Sequence, residues 1–379
     1  MKQWLFFADT PLQLYNATLL ASSLDRQSAK ADLIVYSQFN NSDELIDVYK
    51  SLGIFRDVIE CPSQHVDTYR GNFLWSVKIA LGLKKIDFSQ VVRRRYDCFA
   101  LACPAPANYE LLVALRRANK QLSVVMYEDG TGSYNGNVFQ QPSYFDVPPI
   151  AAPNEFWYTH CLRSLLSLRP FRKVRYDIEA LYVKNPSMIQ VAPSIPVKKL
   201  ESRPEAIKKL VKMLMPDMPR IPEKGAVIVL DIPRTNKVSS EEETIDQAIE
   251  SLIKAGITPL LREHPRSVKR SVWAPRCRDF SQGFWELICQ SDPNIEKCTL
   301  IGIASTAQLA PLMEANKKPS LLFLYEIAHQ NGMEEGIYEQ AQAMHRLAEK
   351  GYGESKGFVS CPESADEIQA TFKQGAHRS

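Results

Sequence analysis

Apolar residues fall along the chain in short unbroken runs, separated by stretches in which they recur at helical spacing. Runs at 4–8, 32–36, 57–61, 97–102 and 122–127 predict strands buried on both faces. Helical spacing predicts helices over 12–23, 43–52, 73–81 and 107–118. Strand and helix in alternation indicate a parallel sheet wrapped by helices.

The pattern breaks between 186 and 222, where seven prolines (186, 193, 196, 204, 216, 219, 222) surround one helical stretch at 204–214. This is the natural domain boundary. A second alternation follows, with strands predicted at 226–230, 258–262, 299–303 and 320–324 and helices at 240–255, near 283–290, at 307–315 and at 333–351. The expected organisation is therefore a Rossmann-like N-terminal domain over 1–200, a linker over 201–224 and a second Rossmann-like domain over 225–355. A tail at 356–379 is expected to return to the first domain. Two such α/β domains facing each other across a cleft make the GT-B architecture, an outline that several other two-domain α/β enzymes share.

Composition narrows this picture in three ways. The eight cysteines are scattered without C-x-x-C spacing, which reads as free thiols in a reducing cytoplasm and gives no metal ligands. Asp9 interrupts the opening apolar run short of a signal-peptide core, and no run approaches the roughly 20 apolar residues of a membrane span. The net charge of +3 conceals a basic segment, 160–224, with 14 Lys or Arg against 6 Asp or Glu. Its run 162–175 (LRSLLSLRPFRKVR) suits either an anionic membrane surface or a solvated face.

Three places carry candidate chemistry. In LSVVMYEDGTGSYNG, Glu128 and Asp129 follow a predicted strand directly, with Gly130 and Thr131 in the turn. Ligands of open α/β sheets gather at the carboxyl ends of strands, so either carboxylate can serve as general base. A glycine-rich turn with solvated acids is the plain alternative. The dinucleotide pattern G-x-G-x-x-G is not matched. In REHPR, His264 ends another strand, and Pro265 keeps the chain from continuing as helix. An imidazole there suits proton donation to a leaving phosphate, with Arg262 and Arg266 adding positive charge. At Ser305 and Thr306 a strand turns into a helix, which suits both plain N-capping and phosphate binding. No D-x-D occurs anywhere. The metal-clamped diphosphate arrangement then lacks obvious ligands, which points to a donor with one phosphate, a CMP-activated sugar.

In this order, the residues resemble bacterial sialyltransferases of glycosyltransferase family 52 and, more distantly, bacterial polysialyltransferases. The likeness rests on FFADTPLQL with Thr10 and Gln13, on EDGTG, on REHPR and on the Ser305–Thr306 turn, spanning 6–306. It implies an acceptor-side first domain and a second domain that binds CMP-sialic acid without a metal or other cofactor. Glu128 or Asp129 would take the acceptor's proton and His264 would serve the departing phosphate. Gly130, Thr131, Pro265, Arg262, Arg266, Ser305, Thr306, Thr10 and Gln13 would bind substrate. Some members use an aspartate after the first strand of the second domain, which makes Asp231 the reserve base. The implied product is an inverted sialoside in lipooligosaccharide or capsule, made in the cytoplasm at the inner face of the inner membrane, with no nucleic-acid partner. The alternatives are a related transferase using CMP-Kdo, a UDP-hexose or CDP-glycerol, and a non-catalytic partner in surface-glycan assembly.

Overall fold

A computed structural model describes residues 1–37, 42–62, 94–104, 106–134, 177–189, 195–201, 203–265 and 267–375. The chain divides into two compact units, 1–209 and 210–379.

The first unit is built on a seven-stranded sheet, ordered β3-β2-β1-β4-β5-β6-β7 and parallel throughout. Its strands are β1 (Lys2–Ala8), β2 (Ala29–Ser37), β3 (Asp57–Pro62), β4 (Cys98–Leu101), β5 (Ser123–Tyr127), β6 (Ile178–Val183) and β7 (Val197–Lys199). Trp4–Ala8 is buried without a break, as expected for a central strand covered on both faces. Each large side chain buried there contributes about 1.5–3 kcal/mol. Among the described residues the crossover helices are α1 (Pro11–Ser23), α2 (Ser42–Ser51) and α3 (Pro106–Ala118). Thr10 caps α1 by accepting the Gln13 N–H, and Pro11 supplies the pre-set φ of the first turn. Residues Gln13 to Ser22 of α1 are all buried, and the helix packs on β1 and β5.

The second unit repeats the order with six parallel strands, β10-β9-β8-β11-β12-β13. These are β8 (Val227–Leu230), β9 (Leu260–Arg262), β10 (Arg278–Asp279), β11 (Thr299–Gly302), β12 (Ser320–Phe323) and β13 (Val359–Ser360). Its helices are α5 (Ser240–Lys254), α6 (Trp285–Ser291), α7 (Thr306–Ala315), α8 (Tyr325–Gln330), α9 (Glu335–Tyr352) and α10 (Ala365–Gly375), while α4 (Pro204–Leu214) holds the division between units. Ser239 caps α5, and Glu241, Glu242 and Glu243 in its first turn complement the helix dipole.

In each sheet the first strand lies inside and the chain reverses direction across it, between β1 and β4 and between β8 and β11. Such switch points leave a crevice at the carboxyl edge. This is the GT-B fold class, two α/β units each on a parallel sheet. The helix expected at 204–214 within the proline-rich stretch forms as α4, with the three-residue β7 ahead of it. One expectation needs correcting. The tail does not return to the first domain: β13 pairs with β12 and α10 packs on α5, both in the second unit. The expected helix at 73–81 and the basic run 162–175 lie outside the described residues. Among the described residues, no helix is long and apolar enough to cross a membrane.

Candidate functional site

At the carboxyl edge of the first sheet, Glu128 and Asp129 take opposite directions, as consecutive residues leaving a strand do. Glu128 turns inward and is 1% exposed. Its Oε2 accepts the Tyr134 hydroxyl at 2.6 Å and the Lys184 N–H at 2.8 Å, while Oε1 pairs with Lys184 Nζ at 3.4 Å. Gly130, at φ +65°, lets the chain double back through a 3-10 turn (Gly130–Tyr134) and so delivers the Tyr134 hydroxyl. The Asn185 N–H donates to that same hydroxyl oxygen at 3.2 Å. Asn16 of α1 holds the Glu128 carbonyl at 2.9 Å.

Asp129 stays half-buried at the rim. Its Oδ1 accepts Gln13 Nε2 at 3.0 Å, and its N–H donates to Ser133 Oγ at 2.7 Å. Gln13 Oε1 in turn accepts the Asp9 N–H at 3.0 Å, so one buried amide bridges the ends of β1 and β5. Burial, reinforced by the charge of Asp129, raises the Asp9 carboxyl to about 6 against the opposing Gln13 hydrogen bond. Burial also pushes up the Cys103 thiol at the end of β4 and the Tyr127 phenol, with Asp9 and Asp129 adding to both. Both stay protonated at neutral pH. The edge therefore presents two carboxyls, an amide and a thiol.

The second sheet's edge carries a different set of side chains. His264 and the exposed Pro265 follow β9, Asp231 follows β8, and Ser305 and Thr306 follow β11; these three strands are neighbours. Asp231 accepts the Ile232 N–H at 2.9 Å and Arg234 Nε at 2.8 Å. Burial raises its carboxyl above the ordinary value, with Arg234 pulling back. Arg262 donates to the carbonyls of Phe280 at 2.9 Å, Gln282 at 3.2 Å and Gly283 at 2.7 Å, and lies over the Trp285 ring at 5.2 Å. It is thus spent on bracing the loop after β10. Ser305 caps α7 in a full capping box with Gln308, whose Oε1 accepts the Ser305 N–H at 3.1 Å and whose amide donates to the Leu322 carbonyl at 3.1 Å. Gly302 makes room for this: a Cβ there would stand 3.0 Å from Gln308 Oε1. Thr306 opens the helix, half-buried. Arg266 lies outside the described residues.

The fold thus gathers Thr10, Gln13, Glu128, Asp129, Gly130 and Thr131 on one edge, and Asp231, Arg262, His264, Pro265, Ser305 and Thr306 on another. Reading the sequence passed over Asp9, Cys103, Lys184, Arg234 and Ser267. The one available signal was Asp9, an acid ending an apolar run as Asp129 nearly does. Among the described residues, no group of three or more His, Cys, Asp or Glu side chains is arranged to hold a metal ion.

No family model matches the chain, and no curated protein matches it. Solved structures do. LpCGTa in complex with UDP is 11% identical, with a TM-score of 0.50, over 99% of this chain and 90% of that one. Apo UGT2 of Phytolacca americana is 12% identical over 99% and 90%, with a TM-score of 0.49. The UDP-GlcNAc 2-epimerase of Neisseria meningitidis bound to UDP-GlcNAc is 12% identical over all of both chains, with a TM-score of 0.45. At this identity the likeness is one of fold, and the first of the three carries it: over nearly its whole length the chain has the two-sheet GT-B architecture.

Proposed function

We propose that the chain is an inverting, metal-independent glycosyltransferase that moves sialic acid from CMP-sialic acid to a hydroxyl of a galactoside or sialoside in a bacterial surface glycan. The observation that carries this reading is the contrast between the edges. Two sheets that share their inner strand order end in different side chains: an aspartate held by Gln13 at the rim of the first, and on the second a histidine and hydroxyls beside an aspartate, Asp231, already paired with Arg234.

A glycosyl displacement needs both. Asp129, steadied by Gln13, takes the proton of the acceptor hydroxyl. The acceptor oxygen then bonds to the anomeric carbon from the face opposite the phosphate. The old bond breaks, and its electron pair leaves with CMP. His264 hydrogen-bonds or protonates the departing phosphate, and the hydroxyls of Ser305 and Thr306 receive it. Glu128, committed to Tyr134 and Lys184, holds the turn that presents Asp129. Asp231, committed to Arg234, ranks behind Asp129 as the base.

The competing donor is a UDP-sugar, since the LpCGTa structure holds UDP. Incubation with CMP-sialic acid or UDP-hexoses and a panel of galactosides and sialosides, read by mass spectrometry, decides between them. The proposal expects a mass gain of one sialic acid. Hexose addition alone would refute the donor assignment. CMP alone should raise the melting temperature, because a ligand that binds only the native state stabilises it.

A further inference from the structure

We propose that Arg234 and Ser267 are positioning residues for His264, forming a hydrogen-bonded relay that runs from α5 through the loop after β8 to the turn that carries the histidine. The proposal rests on the reading of His264 as the group that serves the leaving phosphate.

The turn is closed first on itself, the Ser267 N–H donating to the His264 carbonyl at 2.9 Å. It is then tied to the neighbouring loop at three points. Ser267 Oγ accepts the Arg234 N–H at 3.1 Å and donates to the Ile232 carbonyl at 3.2 Å. The Val268 N–H donates to the Arg234 carbonyl at 2.9 Å. One serine hydroxyl thus both donates and accepts across the two loops, which no alanine can imitate.

The loop receiving these bonds is fixed in turn by the Arg234 side chain, 2% exposed. Its Nε meets Asp231 Oδ2 at 2.8 Å, and its two terminal nitrogens meet the Asp246 carboxylate of α5 at 2.8 and 3.2 Å. Burial works against the guanidinium's charge, but Asp231 and Asp246 outweigh it. Asp246 also accepts Ser271 Oγ at 2.7 Å, and Glu242 of α5 takes the Thr235 N–H at 3.1 Å and Lys269 Nζ at 2.8 Å. The loop after β8 and the segment that follows the turn are therefore both tied to one helix, α5.

A buried ion cluster is weak evidence for stability, because the desolvation of its charges offsets most of their attraction. What it supplies is geometry. A planar fork meeting one carboxylate with two nitrogens and another with the third leaves the loop little freedom, and lysine lacks that fork. Asp231 belongs to this relay as the partner of Arg234.

The test uses the full chain with ¹³C-labelled histidine; among its six histidines, His264 is assigned by the signal lost in His264→Ala. Ser267→Ala should displace or split the His264 signal and lower kcat about 10-fold with donor KM within about twofold, since a small misplacement of a catalytic group costs rate before binding. Ser267→Thr, which keeps the hydroxyl, should restore both. Arg234→Lys should move the same signal, which keeps the test open if Ser267→Ala folds poorly. A His264 signal unmoved in both Ser267→Ala and Arg234→Lys would overturn the proposal. So would a loss confined to KM. If the wild-type chain transfers nothing from CMP-sialic acid, the functional reading fails, and the histidine signal still decides the relay.

Discussion

The two units share one strand order and differ in what they do with charge at its carboxyl edge. In the first, a buried cation, Lys184, is drawn in to neutralise Glu128, and the acid beside it, Asp129, is left at the rim. In the second, a buried cation, Arg234, is drawn in between Asp231 and Asp246, and His264 is left on the turn beside it. The comparison teaches that topology supplies only the address. In each unit a charged neighbour is buried in an ion pair, and in the proposed mechanism the group it positions, Asp129 or His264, is the one that meets substrate.

The largest expected effect would break this account at its root. Glu128→Gln should cost about 3 kcal/mol in urea unfolding, because it leaves Lys184 buried without its counter-charge. Activity per folded molecule should change little. Unchanged stability with activity lost would make Glu128 the base and dissolve the distinction between anchor and rim. Next, Asp129→Asn and His264→Ala should each slow transfer by about 100-fold with folding intact.

A smaller effect sharpens the first edge. The Asp9 carboxyl is raised to about 6 in the folded state from an ordinary 3.8. The folded state therefore holds this proton more tightly than the unfolded chain, and the stability that follows is complete below pH 3.8 and lost as pH rises through about 6. Asp9→Asn should thus gain on the wild type by about 2 kcal/mol between pH 4 and pH 8. Parallel melting curves across that range would remove Asp9 from the edge. The smallest effect is Ser305→Ala, with about 1 kcal/mol lost from the α7 cap. A fall in donor affinity beyond that would give Ser305 a second role in holding phosphate.

Much of the fold was legible because the central strands are buried on both faces and therefore read as plain apolar runs, as 4–8 and 122–127 do. The edge strands were not. β7, β10 and β13 have three, two and two residues, too few to show any period. The EDG turn and the His-Pro stood out locally, each closing an apolar run. The bridge from Asp9 through Gln13 to Asp129 joins residues 120 positions apart and exists only because β4 alone separates β1 from β5, an order written nowhere in the sequence. Nor does the sequence say which of two adjacent acids faces inward. Lys184, 56 positions on, decides that.

That separation matters during synthesis. When Glu128 leaves the ribosome, its counter-ion has yet to be translated, and at roughly 5–20 residues per second it arrives several seconds later. Until then the carboxylate has no buried cation to meet and must stay hydrated, so the end of β5 cannot be sealed. The end of β5 in the nascent chain therefore closes only once β6 and Lys184 have been made, and a chain arrested between 134 and 184 should expose this edge to proteases.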